Sequence, residues 1–380
     1  MHFAPRLATV AVLAATLTLA ACQSVPTPGA SATSTASSTT IAVRQDAFKG
    51  VYEVIHSPAQ GSVFVASTPA FEAGTPGFVY RLDANDLSLK QTLQTPLRAF
   101  ALGLNRATGT LYVGNTLDGS LTVIDAASGA VRQVIQLAQK DAEGKVPHTR
   151  KVIVDEKRNR VFVTSPGMQG KVWIVDGARG VLLHTLDNTG TWTAGAAFDD
   201  VTNRLYVSQG GTDEVLEIDP DAGRVLRKFS TGDTKVVPTK PDESKHFFVN
   251  LALDTRSQRL FAADPSTDQL YVFDIRTGQV LRTIPVGKGL LDVVFNPVPN
   301  EVYTTHRGVS RSEPDGVGAV TLIDAASLTV RRSVSLPVHP NSLAITPEGQ
   351  TLYVTVKSPR DKHPAFVKGG NDSVVKIDLR

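Results

Sequence analysis

The sequence predicts an all-β chain that folds as a seven-bladed β-propeller, with the N-terminal strand closing the last blade. Two recurring features predict this fold. An apolar–aromatic–apolar strand core occurs seven times, at residues 63–65, 111–113, 161–163, 205–207, 260–262, 302–304 and 352–354. Each is followed by a further strand that ends in an aspartate, namely Asp83, Asp125, Asp176, Asp219, Asp274, Asp324 and Asp378. These aspartates are 42 to 55 residues apart, the length of a four-stranded blade.

A single repeat shows the four strands. Residues 100–104 form a predicted inner strand, and strands at 111–114, 120–124 and 131–137 follow it. Val, Leu and Ile fill the strands, while Gly, Asn and Asp separate them, as short strands and tight turns require. No stretch of ten or more residues has a helical period. Every repeat is therefore predicted to be a small antiparallel sheet.

The two ends of the chain are predicted to share the last blade. Its third strand, at 374–377, ends close to the C-terminus and leaves no residues for a fourth. Residues 41–48 precede the first inner strand and have no other partner. We therefore expect them to supply the missing outer strand, which removes an exposed sheet edge.

The repeated aspartates are interpreted as turn residues rather than catalytic acids. Asp125, Asp176, Asp219 and Asp274 each lie four residues before a glycine. An aspartate that accepts hydrogen bonds from the backbone of its own turn explains this spacing.

The N-terminal segment resembles a bacterial lipoprotein signal. Residues 1–21 join a short basic start to an apolar run that is too short to span a bilayer. The sequence Leu-Ala-Ala-Cys closes it, and Cys22 is the only cysteine in the chain. We expect Cys22 to be acylated and residues 22–40, rich in Ser, Thr and Pro, to be a disordered tether. The propeller would then occupy residues 41–380.

This reading predicts an exported protein that is lipid-anchored and faces the periplasm. Gln23 favours the outer over the inner membrane by its resemblance to known sorting patterns. A formal net charge of +3 gives no overall field that demands nucleic acid or an anionic membrane as partner. We expect a monomer.

All the long insertions fall on one face of the predicted propeller. Three lie between second and third strands, at 66–77, 305–318 and 357–372, and three lie between blades, at 138–151, 187–193 and 230–248. In a propeller these two kinds of loop share a face, here called the loop-rich face. Insertions that collect on one face often mark the binding face of a repeat protein.

Candidate ligand-binding residues cluster on this face. They are Arg98, His148, Arg150, Lys151, Trp192, Lys245, His246, Phe247, Phe248, Asn250, His306, Arg307, His339, Asn341 and Lys357. Of these, we expect the residues at strand starts (Arg98, Arg150, Asn250 and Asn341) to point into the central funnel. The cations of the blade 7 insertion, which also contains Arg360, Lys362, His363 and Lys368, are expected to be solvated.

Three functions remain open from the residues alone. The first is a noncatalytic binding propeller whose ligand docks over the funnel: a nucleic acid, a peptide or an envelope protein. The second is a metal-dependent sensor or enzyme that uses the histidines of the loop-rich face, although no HxH, HExxH or CxxC spacing occurs. The third is an envelope scaffold. We assign no catalytic residue, metal ligand or cofactor.

The repeats resemble those of YVTN propellers, and the C-terminal half resembles the YncE group in particular. The similarity rests on residues 109–115 and 121–125 in blade 2, and on 245–263, 295–308 and 339–357. The resemblance implies an exported propeller that is associated with DNA binding and has no established enzyme activity. Single-stranded DNA is therefore an expected partner for the basic residues of the loop-rich face. The lipobox departs from the group, and a membrane tether favours a partner in the cell envelope.

Overall fold

The computed structural model describes residues 41–234, 236, 238, 243–310 and 312–379. These residues form seven four-stranded antiparallel sheets, which confirms the predicted seven-bladed propeller. Across these ranges no helix is long and apolar enough to cross a membrane. Cys22, the signal at 1–21 and the tether at 22–40 lie outside the described residues and stay predictions.

The strands follow one another along the chain in groups of four. Blade 1 contains β2 (Val51–Ser57), β3 (Ser62–Ser67), β4 (Gly77–Asp83) and β5 (Leu89–Thr95). Blade 2 contains β6 (Ala99–Asn105), β7 (Thr110–Asn115), β8 (Ser120–Asp125) and β9 (Val131–Gln136). Blade 3 contains β10 (Lys151–Asp155), β11 (Arg160–Ser165), β12 (Lys171–Asp176) and β13 (Val181–Leu186). Blade 4 contains β14 (Thr193–Asp199), β15 (Arg204–Gln209), β16 (Glu214–Asp219) and β17 (Arg224–Ser230).

The remaining blades continue this order. Blade 5 contains β18 (Asn250–Asp254), β19 (Arg259–Asp264), β20 (Gln269–Asp274) and β21 (Val280–Pro285). Blade 6 contains β22 (Leu290–Asn296), β23 (Glu301–His306), β24 (Gly318–Asp324) and β25 (Thr329–Leu336). Blade 7 contains β26 (Pro340–Ile345), β27 (Thr351–Val356), β28 (Asp372–Asp378) and β1 (Ile41–Phe48). The first strand of each blade contacts the first strand of the next, and β26 contacts β2, so the blades form a ring.

The last blade closes as the sequence predicted. Strand β1 pairs antiparallel with β28, with Ile41 opposite Ile377 and Phe48 opposite Asp372. A tyrosine hydroxyl also crosses the closure. Tyr353 Oη donates to the carbonyl of Ala84 in blade 1 at 2.7 Å, as Tyr112 Oη does to Gly177 between blades 2 and 3 at 3.2 Å. The seam therefore carries the same contact as an ordinary blade boundary.

The hydrophobic core lies between successive blades. One cluster combines Tyr112 and Val123 of blade 2 with Val161, Trp173 and Val175 of blade 3, all essentially buried. Because each blade presents apolar side chains on both of its faces, it is stable only between two neighbours. This packing explains why the apolar–aromatic–apolar pattern recurs at every blade.

The turn aspartates act on their own backbone, as predicted. Asp125 Oδ1 accepts the amides of Ala127 and Ser128 at 3.0 and 2.8 Å, and the glycine that follows, Gly129, has a φ of +78°. Asp176, Asp219, Asp274 and Asp324 accept equivalent pairs of amides. Backbone hydrogen bonds therefore account for the repeated aspartates without a catalytic role.

Candidate ligand-binding site

A cavity of about 200 Å³ lies where the inner strands begin, on the loop-rich face. We call it the funnel cavity. Residues from all seven blades line it: Tyr52, Glu53, Phe100, Arg150, Trp192, Ala194, Phe247, Val249, Asn250, Leu291, Asp292, Arg307, Asn341 and Ser342. The loop-rich face thus holds a concave site on the axis of the ring.

The strand register explains which residues line this cavity. In blades 3, 5 and 6 the inner-strand residues Lys151, Asn250 and Asp292 pair with the residue two positions after the blade's central aromatic. The residue before each of them, such as Arg150, lies one step closer to the mouth. In blade 2 the same register places Phe100 there. Equivalent backbone positions therefore present a cation in one blade and an aromatic ring in another.

The floor of the funnel cavity borders three charged side chains, the buried Glu53 and Asp292 and the partly buried Lys151. Lys151 Nζ lies 2.7 Å from Glu53 Oε1, and Glu53 Oε2 accepts the amide of Leu102 at 2.8 Å. Asp292 accepts the amides of Leu343 and Val293 at 3.0 and 3.1 Å. Burial alone would lower the pKa of Lys151, but Glu53 and Asp292 raise it above its usual value. Lys151 therefore stays charged and ties two blades together.

Two pairs of aromatic rings form the walls. The rings of Tyr52 and Phe100 lie 4.2 Å apart, and those of Trp192 and Phe247 lie 6.2 Å apart. Lys357 Nζ is 3.8 Å from the centre of the Tyr52 ring, a close cation–π contact. Trp192 remains 36% exposed, so its ring is accessible from solvent. The mouth therefore offers flat apolar surfaces beside cations.

Two arginines of the funnel cavity have no anionic partner among the described residues. Arg150 lies over the Phe100 ring, its guanidinium carbon 5.6 Å from the ring centre. Among the residues that the structure describes, the guanidinium groups of Arg150 and Arg307 form no hydrogen bond or ion pair. Burial, together with the charges of Arg360 and Arg150, lowers the pKa of Arg307 to about 10. An arginine that is half-buried among other cations is ready to bind an anion.

Two residues of the loop-rich face adopt a backbone conformation that usually requires glycine. Trp192 and His339 directly precede the inner strands of blades 4 and 7, with φ values of +61° and +67°. At the same position blades 1 and 6 have glycines, Gly50 and Gly289, with φ values of +60° and +70°. A bulky residue in this region costs roughly 1–2 kcal/mol. The fold therefore tolerates strain at two positions whose side chains line cavities.

A second cavity, of about 640 Å³, adjoins the first between the insertions of blades 6 and 7. We call it the blade 7 pocket. It is lined by Arg307, Val309, Ser310, Pro314, His339, Arg360, Asp361, Lys362 and His363. Burial and the surrounding charges of Arg360, Arg307, His363 and Lys357 lower the pKa of His339 to about 4. Arg307 lines both cavities.

The structure brings six of the sequence-predicted residues into the funnel cavity: Arg150, Trp192, Phe247, Asn250, Arg307 and Asn341. Asn250 Nδ2 donates to the carbonyl of Leu291 at 2.9 Å, while its buried Oδ1 has no partner among the described residues. Lys357 was expected to be solvated with the rest of its insertion, but it is half-buried on Tyr52. Arg360 is exposed, and it also lines the blade 7 pocket.

Arg98 does not point into the funnel. Its Nη2 lies 2.5 Å from Asp118 Oδ1, and its Nη1 donates to the carbonyl of Phe71 at 2.5 Å, so it holds two loops together. His148 packs edge-on against Phe100, 5.2 Å between ring centres, and hydrogen-bonds the Thr116 hydroxyl. Burial and the charges of Arg150 and Arg98 lower the pKa of His148 to about 3. His148 therefore supports the cavity wall in its neutral form.

The residues that precede blade 5 are mostly structural. His246 is fully buried, with Nδ1 2.7 Å from Asp264 Oδ2 and Nε2 3.0 Å from Asp233 Oδ2. Burial opposes its protonation, but the two carboxylates raise the pKa of His246 overall. Lys245 is exposed and pairs with Asp233 at 2.7 Å, and Phe248 is buried in the core.

His306 and the proposed metal site are the last two predictions for this face, and the described residues form neither a ligand site around His306 nor a metal site. His306 is half-buried beneath Gly287, and its Nδ1 has no partner in the described part of the chain. Burial lowers the pKa of His306. Within residues 41–379, apart from the masked positions, no group of three His, Cys, Asp or Glu residues could hold a metal ion.

Sequence reasoning did not select two of the rings that line the cavity. Tyr52 and Phe100 lie inside strands, where an aromatic residue fits the ordinary core pattern. The signal that could have found them is an alignment of the seven inner strands on the central aromatic of each blade. In that alignment Tyr52, Phe100, Arg150 and Asn341 share one position at the mouth.

Comparison with known proteins finds similar chains of almost the same extent. A Salmonella typhimurium protein described as uncharacterized protein YncE is 32% identical over 339 residues, covering 89% of this chain and 90% of its own. The Escherichia coli K12 protein of the same description is 33% identical over the same coverage. Antigen Lp49 of Leptospira interrogans is 20% identical over 67% of this chain and 52% of its own. No family model matches the chain.

Proposed function

The chain belongs to the YncE family, and on that premise we propose that it is a noncatalytic binding protein, anchored through Cys22, whose funnel cavity receives an anionic ligand. One observation supports the proposal most directly. Arg150 and Arg307 face an aromatic-lined cavity without an anionic partner among the described residues. Leaving cations unpaired in a partly buried site is unfavourable unless a ligand supplies the counter-charge.

Single-stranded nucleic acid is the first ligand class to test. Cations for phosphates and rings for bases are the combination that such ligands need, and Trp192 and Phe247 offer rings beside Arg150. The family resemblance implies the same ligand. Binding through phosphates should weaken steeply as salt concentration rises.

The experiment measures fluorescence anisotropy of a labelled single-stranded oligonucleotide with the purified chain. We expect Arg150→Gln and Trp192→Ala each to weaken binding at least about tenfold, since each removes a contact worth roughly 1–3 kcal/mol. Arg282→Gln serves as the matched control, because Arg282 is exposed on the outer strand of blade 5. If wild type does not bind at low salt, or both cavity variants bind as it does, nucleic acid is not the ligand.

The anchor is tested separately. Cys22→Ser should move the protein from the membrane fraction to the soluble fraction of the cell envelope, because no acyl chain could then be attached. Unchanged fractionation of this variant would overturn the proposed anchor. A pull-down with the lipidated protein in its native envelope distinguishes an envelope partner, including a scaffold role, from a nucleic acid.

A further inference from the structure

The funnel cavity and the blade 7 pocket meet at a single side chain, that of Arg307. It lines both cavities, with Arg150 on the funnel side and Arg360 on the blade 7 side. The charges of Arg360 and Arg150 both act on Arg307, which places each of these two guanidinium groups within electrostatic reach of Arg307. The junction is therefore a row of three cations.

Nothing within the described structure neutralises this row. Arg150, Arg307 and Arg360 form no side-chain hydrogen bond or ion pair with any described residue. The carboxylates of the funnel floor are engaged elsewhere, Glu53 by Lys151 and Asp292 by two backbone amides. Asp361 lines the blade 7 pocket together with Arg307, Arg360 and Lys362, so that pocket keeps an excess of positive charge.

We propose that Arg307, flanked by Arg150 and Arg360, binds a phosphate-type oxyanion where the two cavities meet. The inference rests on the proposed function and names the chemical group that the site recognises. A guanidinium group presents its donors in a planar fork that fits two oxygens of a phosphate. Three neighbouring cations match a doubly charged oxyanion better than a single carboxylate.

His339 gives the site a pH signature. Its neighbours in this region are Arg360, Arg307, His363 and Lys357, and Asp361 lies on the same pocket wall. In the free protein, burial and these cations together keep His339 neutral. A bound oxyanion offsets their repulsion, so the pKa of His339 rises on binding and the complex takes up a proton.

The test is calorimetric titration of the purified full chain with inorganic phosphate, pyrophosphate and acetate. We expect the phosphates to bind and acetate not to bind. Arg307→Gln should weaken phosphate binding at least about tenfold, the loss expected for a charge-assisted hydrogen-bonded contact. Arg150→Gln and Arg360→Gln should weaken it less, and Arg282→Gln should have no effect. His339→Gln should reduce the proton uptake that accompanies binding at pH 5, measured by titration in buffers of different ionisation enthalpy.

Thermal unfolding of each variant provides the folding control. Because Arg307 makes no side-chain hydrogen bond in the described structure, Arg307→Gln should unfold at the temperature of wild type. Should that variant fold poorly, Arg360→Gln, at an exposed position, tests the same row.

The source of the phosphate is tested with vesicles, in a Cys22→Ser background so that no acyl chain attaches the protein. Vesicles with phosphatidic acid present a phosphate monoester, and phosphatidylcholine vesicles are the control. Binding to phosphatidic acid that Arg307→Gln abolishes identifies a lipid headgroup. Binding of soluble phosphates alone identifies a free phosphate ester.

Two results would overturn the inference. One is no binding of any phosphate by wild type, and the other is equal binding by wild type and Arg307→Gln. If oligonucleotide binding depends on Trp192 but not on Arg307, the oxyanion site is wrong and the binding function stands. If neither oligonucleotides nor phosphates bind, both proposals fail.

Discussion

The two faces of the propeller differ in how their charged side chains are neutralised. On the face of the short turns, repeated aspartates pair with arginines: Asp125 with Arg132, Asp176 with Arg179, and Asp324 with Arg331. On the loop-rich face, Arg150 and Arg307 lie in a cavity without a partner among the described residues. The aspartates of the repeated turns thus have cationic partners within the chain. Two arginines of the insertions have no anionic partner among the described residues, so a ligand could neutralise them. This difference in pairing distinguishes charged residues that stabilise the fold from those that we propose bind a ligand.

The loop-rich face also contains a buried site around Asp264 whose polar groups are hydrogen-bonded to one another. Disrupting this site should have the largest effect on the stability of the protein. Asp264 accepts hydrogen bonds from His246 Nδ1 at 2.7 Å and from the amides of Phe247 and Ser266 at 3.0 and 2.9 Å. We expect Asp264→Ala to lower the free energy of unfolding by about 3–5 kcal/mol, because it removes the buried carboxylate that bonds His246 Nδ1 and two backbone amides. Denaturant unfolding measures this. A loss below about 1 kcal/mol would mean that the contact is not needed to anchor the loop.

The pH dependence of unfolding should also differ between the buried His246 site and the turn aspartates. Since the pKa of His246 is raised on folding, its contribution to stability is fully present below its unfolded value of 6.5. That contribution is lost as the pH rises through the folded pKa. The aspartates of the turn face behave in the opposite way. The pKa of Asp125 and Asp324 is held at about 2 by backbone and side-chain hydrogen bonds, so their contribution is lost as the pH falls below 4. Thermal unfolding from pH 2 to pH 9 should show a loss of stability at both ends of this range. Asp264→Ala should remove the loss at high pH and leave the loss at low pH.

The positions with a positive φ before the inner strands show whether the residue there serves the fold or a ligand. Gly50→Ala should destabilise the protein by at least about 2 kcal/mol, because a Cβ atom there would lie 2.1 Å from the carbonyl oxygen of Thr68. Trp192→Gly, at the equivalent position of blade 4, should relieve a strained φ and cost much less. The two variants are compared by calorimetry. A larger loss for Trp192→Gly would assign Trp192 to packing instead of binding.

A turn-face variant should have a moderate effect on stability and none on binding. Asp125→Ala removes two backbone hydrogen bonds and should cost about 1 kcal/mol. Because the turn lies on the face opposite the funnel cavity, phosphate and oligonucleotide binding should match wild type. Chemical unfolding and calorimetric titration of one preparation measure both quantities. Weaker binding would show that the two faces are not independent.

The smallest stability effect is expected at the funnel cavity itself. Arg150→Gln should change the free energy of unfolding by no more than about 0.5 kcal/mol, since the guanidinium group makes no hydrogen bond within the described structure. The Arg282→Gln control should behave alike. A clear loss of stability in Arg150→Gln alone would indicate that its contact with Phe100 serves the fold.

The repeat was sufficient to predict the fold but only part of the site. Periodic packing leaves a periodic sequence, so the blades, the turn aspartates and the closing strand could all be read from it. Arg98 and Arg150 both directly precede an inner strand in the chain, yet only Arg150 reaches the funnel cavity. Strand β10 begins two register positions later than β6, so the two arginines are not equivalent. The partner that holds Arg98, Asp118, belongs to a loop whose path the repeat does not fix.

The pairing between β1 and β28 also determines when the ring can close during folding. Ile41 pairs with Ile377, far along the chain, so the ring cannot close until the residues of β28 are available for pairing. Until then blade 7 lacks its outer strand, and the last blade boundary is open. Contacts this distant in sequence form slowly, and unpaired strand edges favour aggregation in the interval. Removing either β1 or β28 should therefore leave the same unclosed ring.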